Sequence, residues 1–461
     1  MKFIGRETEL KKLCSAYRTD DQAAVLIYGR RRVGKSELIK HSLEKVSSPS
    51  IYYECKETSE RNNIDSLSAL ISEQYDYPSL AFQSMEGVLE FLFKQSTKAE
   101  MILVLDEYPY LRSMVKGLDS ILQSLLDRYE GRSHLKLILC GSFMETMKSM
   151  LLAHNPLYGR ISLAIHLKPM DYYESAKFYP SFSSEDKVRL YSALGGIPYY
   201  NRLVQPQASV KENLMELILA PGARLENEIA LYLQAELSKI ANANVVFETL
   251  AKGFSRFSDI LSQSHISSSP TLSDILRKLI YMELVVKEAP INDENNKKRA
   301  GYYIDDNLSL FYYQYIFRYA SQRQVMAPDQ FYKRYVGPDF ETAYVPKRFE
   351  RICRQYLIRR NQAGLMEEPF ERIGKYYYDL PKEHKNGEFD VVTQDANGYV
   401  FYEAKFQKQL MTQKMIDKEI SQVQGAGMNC ERYGFFVRAG AEGQSRNDVR
   451  IISLEDMYDV Q

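Results

Sequence analysis

Gly29, Gly34, Lys35 and Ser36 stand at the spacing G-x-x-x-x-G-K-S within Gly29-Arg30-Arg31-Arg32-Val33-Gly34-Lys35-Ser36. Glycines at these places let the backbone turn back on itself, so that successive N–H groups point inward and surround a triphosphate. Lys35 supplies a point charge for the β- and γ-phosphates, and the Ser36 hydroxyl a ligand for Mg²⁺. The whole stretch, Arg30, Arg31, Arg32 and Val33 included, is expected to line a site for a nucleoside triphosphate. Downstream, Asp106 and Glu107 are adjacent carboxylates. Asp106 is placed to hold Mg²⁺, directly or through water, and Glu107 to polarise an attacking water. Ser142 is a candidate polar group to sense the terminal phosphate.

A second set of charges lies near the C-terminus. Asp390 and the pair Glu403 and Lys405 flank the dipeptide Asn397-Gly398, a strong hairpin signal. Side chains alternate faces along a strand, so Glu403 and Lys405 point the same way and meet Asp390 across the hairpin. Two carboxylates and a lysine so gathered are able to hold Mg²⁺ and position a water against a phosphodiester.

The elements that must position these groups are legible in part. Ala24 to Tyr28 is an apolar strand feeding the glycine loop, and Glu37 to Leu43 has helical spacing, which places bound phosphates at a helix N-terminus. Met101 to Leu105 and Leu135 to Cys140 are continuous apolar runs, as expected for parallel strands buried on both faces. They end at Asp106-Glu107 and at Gly141-Ser142. From about 180 to 235 the pattern is helical, with Ala223 to Leu233 amphipathic, where a lid over the nucleotide belongs. Ser269-Pro270 reads as an N-cap with proline at the first helical position, followed by the stripe Leu272, Ile275, Leu276, Leu279 and Ile280. With a helix at Phe257 to Leu261, a strand at Leu284 to Lys287, a polar tip at Asn292 to Arg299 and a return at Gly301 to Ile304, this predicts a winged helix. Phe349, Ile352, Cys353, Tyr356 and Leu357 define an amphipathic helix bearing Glu350, and Tyr376, Tyr378 and Leu380 alternate as a strand.

No Asn-Lys-x-Asp motif for reading guanine occurs, Leu194-Gly195-Gly196-Ile197-Pro198 lacks the Ser and Gln of a transporter signature, and a small kinase has no use for Glu107. ATP hydrolysis driving a conformational change fits best. At this point the chain resembles a known family. Phe3-Ile4-Gly5-Arg6-Glu7-Thr8-Glu9-Leu10, the Gly29–Ser36 loop, Pro156-Leu157-Tyr158-Gly159-Arg160 and Gly195-Gly196-Ile197-Pro198 are similar, in order, to motifs of the archaeal-ATPase type of AAA+/STAND-like P-loop ATPases. The resemblance covers the N-terminal half and implies an adenine pocket near Phe3 to Arg6 and a charge-stabilising role for Arg160. The C-terminal pattern resembles the PD-(D/E)XK nuclease superfamily, and the nuclease-like domain that accompanies such ATPases. By that match Asp390 and Glu403 are metal ligands, Glu350 an auxiliary ligand, and Lys405 assists the nucleophile or stabilises charge. The proline that precedes the superfamily's Asp is replaced here by Phe389.

The expected fold is therefore α/β, in four parts: a P-loop ATPase core over 1–180 with a parallel sheet, a helical lid over 181–235, a winged helix over 236–320, and an α/β restriction-endonuclease-like domain over 330–461. The 461 residues allow about three domains by length. A formal net charge of zero excludes a global pull towards nucleic acid or acidic lipid, so any such surface is local. Cys14, Cys55, Cys140, Cys353 and Cys430 are scattered without a C-x-x-C pair, which predicts neither disulfides nor zinc. The charged N-terminus lacks an apolar signal core and no apolar run approaches spanning length, so a cytoplasmic, membrane-free protein is expected. ATP and Mg²⁺ are the expected cofactors. DNA, a protein partner and a second copy of the chain stay open as macromolecular partners. If the winged helix reads DNA, Ser273, Arg277 and Lys278 of its second helix and Lys297, Lys298 and Arg299 of its tip would do so. The alternative, a regulatory module, better suits so short a basic run. Two functions follow: ATP turnover that controls a metal-dependent nuclease, or a nucleotide-driven switch whose C-terminal domain only binds.

Overall fold

A computed structural model describes residues 3–75, 80–237, 240–296, 298–380, 384–442 and 446–459. The chain divides into two compact units, Met1–Pro169 and Met170–Gln461. The segments expected as lid, winged helix and C-terminal domain thus fall, from residue 170 onward, within the second unit.

The first unit is built on five parallel strands: β1 (Ala23–Tyr28), β2 (Ser50–Glu54), β3 (Met101–Asp106), β4 (Leu135–Gly141) and β5 (Leu163–His166). Their order is β2-β3-β4-β1-β5. Every residue of β1, β3 and β4 is buried, which is why these three read as unbroken apolar runs. Leu26, Leu103, Leu105, Leu137 and Leu139 pack against Leu67, Leu89, Leu92, Leu122 and Leu125 from the helices Glu60–Tyr75, Met85–Gln95 and Leu118–Arg128. Parallel order puts the glycine loop, Asp106-Glu107 and Gly141-Ser142 at the same carboxyl edge of the sheet, where α/β folds bind ligands.

In the second unit, the helices Ser184–Leu194 and Pro198–Asn201 flank Gly195-Gly196. A Cβ at Gly196 would lie 1.9 Å from the Met170 carbonyl oxygen, so only glycine fits there. The helices Phe257–Ser264 and Ser269–Tyr281 precede an antiparallel pair, β6 (Val285–Glu288) and β7 (Gly301–Ile304). The second helix is capped one residue earlier than expected: Ser268, not Ser269, accepts the Thr271 N–H, and Pro270 follows inside the first turn.

The second sheet is mixed, in the order β12-β11-β10-β9-β8, with β8 (Phe370–Leu380), β9 (Lys385–Asp395), β10 (Gly398–Lys405), β11 (Cys430–Val437) and β12 (Val449–Ser453). The pairs β8–β9 and β9–β10 are antiparallel, whereas β10–β11 and β11–β12 are parallel. The turn at Gly398 has φ 121°, a conformation glycine adopts freely. Phe349 and Tyr356 of the helix Val345–Gln362 pack on Phe436, and Ile416, Ile420 and Val423 of the helix Gln413–Gly425 join the core with Phe401 and Phe435.

Ile291, from the connection between β6 and β7, is buried in that same core. Its N–H donates to the Lys375 carbonyl at 2.8 Å, and the Asn292 side chain makes a reciprocal pair with the Tyr377 backbone at 2.8 and 3.0 Å. The edge strand β8 is thereby covered by the expected wing. Among the described residues no cysteine forms a disulfide, and no helix is long and apolar enough to cross a membrane.

Candidate functional site

The glycine loop begins where β1 ends. A Cβ at Gly29 would lie 2.2 Å from the Leu167 carbonyl oxygen, so close approach to the residue after β5 demands glycine. Arg32 and Gly34 adopt φ of 67° and 96°, and Gly34 leads into the helix Lys35–Leu43. Arg30 and Val33 are buried, Arg32 is half-buried and Arg31 exposed. Arg6, expected near an adenine pocket, is buried. Its guanidinium donates to the carbonyls of Val33 at 3.4 Å and Lys168 at 2.5 Å, fastening the loop to the end of β5. Phe3 stacks on His41, 4.4 Å between centroids.

Two of the charged groups expected to act on the nucleotide, Lys35 and Glu107, meet through one serine. The buried Lys35 ammonium donates to the carbonyls of Gly29 (3.1 Å) and Arg30 (3.3 Å) and to Ser142 Oγ (2.8 Å). Ser142 Oγ in turn donates to Glu107 Oε1 at 2.7 Å, and the Ser142 N–H reaches Glu107 Oε2 at 3.3 Å. Strand order explains the junction, since β4 lies between β1 and β3. Glu107 itself has φ 50°, a left-handed conformation that costs a non-glycine residue energy and breaks β3 sharply. With all three of its donors occupied, Lys35 must exchange partners when phosphates arrive.

Beside this junction, Ser36 Oγ donates to Asp106 Oδ2 at 2.7 Å, and the Glu107 N–H donates to Oδ1 at 2.9 Å. The Tyr52 hydroxyl donates to the same Oδ2. Burial pushes the Asp106 carboxyl up, but hydrogen bonds from Tyr52, Cys140, Ser36 and the Glu107 backbone outweigh it and hold it below the usual carboxylate range. Burial and the Asp106 contact raise Tyr52, which stays a neutral donor. A carboxylate kept ionised beside a serine hydroxyl fits a hard divalent cation. Tyr52 is a residue that sequence reasoning misses, because it reaches Asp106 only through the adjacency of β2 and β3.

Arg160 stands apart from this group. Its guanidinium forms a two-pronged pair with Asp127, both contacts 2.9 Å, and donates to the Tyr158 carbonyl. The loop before it is anchored by a buried network: Asp119 accepts from Tyr108 (2.8 Å), Arg112 (2.9 and 3.0 Å) and Asn155 (2.8 Å).

In the second unit, β9 and β10 align Val391 with Tyr402, so the next pair in register is Asp390 with Glu403. Lys405 Nζ lies 2.6 Å from Glu403 Oε1 and 3.1 Å from Glu419 Oε1. Asp390 Oδ1 lies 3.3 Å from Lys375 Nζ, which also meets Glu388 at 3.0 Å and stacks on Tyr303, 4.7 Å from the ring centroid. Burial, joined by the Asp390 charge, pushes Glu350 up to about 7. Burial also raises Glu403, against the pull of Lys405. The expected residues are therefore neighbours, but each of the two hairpin carboxylates is held by a lysine. Among the described residues no group of three or more His, Cys, Asp or Glu side chains converges to hold a metal ion. Lys375 escapes a sequence reading because it sits at a register shift between Gly374 and Tyr376.

Of the cations expected to face DNA, Arg277 and Lys278 both pair with Asp274, at 2.5 and 3.2 Å. Arg299 pairs with Asp293 at 2.7 Å and lies 4.0 Å from the Tyr377 ring centroid. Ser273 and Lys298 are exposed, and Lys297 lies outside the described residues.

Residues 3–204 match the family model of an ATPase domain predominantly from Archaea. The chain carries a P-loop ATPase domain. Residues 312–419 match a model described as archaeal and bacterial proteins of unknown function. An uncharacterized protein of Methanocaldococcus jannaschii is 26% identical over 460 residues, covering 98% of this chain and 99% of that one. A Walker-type ATPase of Pyrococcus abyssi shares the fold, with TM-score 0.51 and 21% identity over 68% of this chain and 96% of that one. The ORC2 protein of Aeropyrum pernix, solved with ADPNP and ADP, gives TM-score 0.46 and 13% identity over 70% and 96% of the two chains.

Proposed function

We propose that this chain is an ATP-driven switch, in which ATP with Mg²⁺ binds over Gly29–Ser36 and its hydrolysis resets the remainder of the protein. The junction Lys35–Ser142–Glu107, one serine hydroxyl shared by phosphate-binding lysine and prospective base, carries the proposal. The backbone N–H groups of the loop and the helix N-terminus take the phosphates. Ser36 and Asp106 would hold Mg²⁺, which neutralises phosphate charge when bound. Arrival of a terminal phosphate draws Lys35 from Ser142. The serine keeps its bond to Glu107 and leaves that carboxylate poised to take a proton from water. Arg160, once freed from Asp127, would supply charge to a neighbouring site or its own. Lys35→Ala should abolish nucleotide binding, and Glu107→Gln should bind ATP yet turn it over slowly. Hydrolysis by Glu107→Gln at the wild-type rate would remove Glu107 as the base.

The region from 236 to 320 is read as a winged-helix module in a regulatory role, because Arg277, Lys278 and Arg299 pair with intramolecular acids and Ile291 and Asn292 bond to β8. The C-terminal region is read as a nuclease-like fold that binds a partner without metal-dependent cleavage, on the observation that Lys375 and Lys405 occupy Asp390 and Glu403. Facing carboxylates in register with Glu350 nearby favour a second reading, in which ATP turnover controls phosphodiester cleavage. Incubating the full chain with single- and double-stranded DNA and RNA, Mg²⁺ or Mn²⁺, with and without ATP, separates the two. Cleavage that disappears in Asp390→Ala would overturn the binding-only reading.

A further inference from the structure

Away from both charged clusters, residues 312–336 concentrate a different chemistry. Six of the chain's 35 tyrosines fall here: Tyr312, Tyr313, Tyr315, Tyr319, Tyr332 and Tyr335. Tyr313 and Tyr315 are core residues. Tyr319 and Tyr335 are not. Both are half-buried, and their rings lie 4.5 Å apart, tilted by 34°, with Phe331 5.2 Å from Tyr335 on the core side. The Arg318 guanidinium lies 5.3 Å from the Tyr319 centroid, and that of Arg334 lies 5.7 Å from the Tyr335 centroid. The result is a half-buried pair of tilted aromatic rings with a guanidinium beside each.

Both arginines are exposed, and among the described residues neither makes an ion pair or a side-chain hydrogen bond. The nearby acids are engaged elsewhere: Asp329 with Lys211 and with Lys333 at 2.8 Å, and Asp339 with Gln314 at 2.7 Å and Tyr315 at 2.5 Å. The π-helical turn Tyr332–Val336 carries Arg334 and Tyr335, and the turn Tyr312–Phe317 ends immediately before Arg318 and Tyr319. Such turns are less stable than α-helix and recur at functional sites.

We propose that Arg318, Tyr319, Tyr335 and Arg334 form a binding surface for single-stranded nucleic acid. The two uncompensated guanidinium groups take backbone phosphates, and the ring and guanidinium faces take unpaired bases. Duplex DNA hides its base faces, so this surface favours single strands. An acidic peptide would use the charges but has no use for the aromatic rings beside them. The surface is distinct from the expected wing and from the Asp390–Glu403 hairpin, so it stands whether or not that hairpin cleaves.

The test is fluorescence anisotropy on the full chain, without divalent metal, using labelled oligothymidine of about 20 nucleotides and a duplex of equal length over a salt series. Tighter binding of the single strand is expected. Replacing both Arg318 and Arg334 by Ala should reduce the slope of log affinity against log salt by about 1.4, the share of two phosphates. Tyr319→Leu should weaken binding about tenfold at an unchanged slope. The arginines are exposed, so unchanged ATP hydrolysis in their variant certifies the fold. An unchanged salt slope in the arginine variant overturns the proposal, as does failure of the wild type to bind. Equal competition by polyglutamate would assign the surface to acidic proteins instead. Loss of binding only in Lys298→Glu with Arg299→Glu would move the site to the wing.

Discussion

Ser142→Ala removes one oxygen that serves two charges. In the resting structure that oxygen accepts from Lys35 at 2.8 Å and donates to Glu107 at 2.7 Å. Hydrogen bonds to charged groups contribute about 1.5–3 kcal/mol each. The losses fall unequally on the two partners. Lys35 retains the carbonyls of Gly29 and Arg30, and must abandon its resting partners for phosphate in any case, so ATP affinity should change by no more than about threefold. Glu107 retains only the longer contact from the Ser142 N–H at 3.3 Å, and its carboxylate is free to swing. If that alignment is needed in the transition state, a loss of about 2 kcal/mol lowers kcat about thirtyfold. Steady-state phosphate release and fluorescent-nucleotide binding measure the two quantities separately. Ser142→Thr keeps the hydroxyl and should recover most of the rate. A kcat within twofold of wild type, or an affinity that falls in step with kcat, would refute the assignment of Ser142 as the group that holds the base.

Tyr52→Phe deletes the donor to Asp106 Oδ2 and should raise the Mg²⁺ needed for half-maximal hydrolysis about fivefold, while leaving ATP affinity in EDTA unchanged; a metal titration at saturating ATP checks this. Gly29→Ala places a methyl 2.2 Å from the Leu167 carbonyl oxygen, and should abolish nucleotide binding and lower stability by about 2 kcal/mol or more, read by nucleotide titration and denaturant unfolding. Glu350 binds its proton more tightly in the folded chain, at about 7 against an ordinary 4.5, so stability should fall as pH rises through that interval and level off above it. Glu350→Gln should flatten that decline in an unfolding series across pH, and a profile identical to wild type would remove Glu350 as its source.

The parts of the molecule legible in the sequence are those whose burial is complete or whose turns are chemically marked. β1, β3 and β4 are shielded on both faces and show as apolar runs, while Asn397-Gly398 announces the hairpin of β9 and β10. The edge strand β2, with buried and half-buried residues alternating, carries no such run, and Tyr52 was hidden with it. Likewise β5 is short and only one of its four residues is buried. Arg6 is part of a sequence motif, but its bonds to the Val33 and Lys168 carbonyls are tertiary contacts that no local pattern encodes. Lys375 reaches Asp390 from another strand and Glu419 reaches Lys405 from a helix, contacts equally absent from any local pattern. Ile291 stands immediately before the expected polar tip at Asn292 to Arg299, yet its side chain is in the core.

That last residue bears on how the chain is divisible. A sheet edge with unsatisfied N–H and C=O groups is a template for further strands. Residues Ile291 and Asn292 occupy the outer side of β8 and plug the core beneath it. A fragment starting near residue 330 would lose that cover and retain a hole, inviting strand exchange between copies. Expression of the C-terminal region for biochemistry should therefore begin upstream of the helix Ile240–Ala251. For the same reason, chimaeras between relatives should inherit the 285–304 segment and β8 from one parent, since each supplies what the other leaves unfinished.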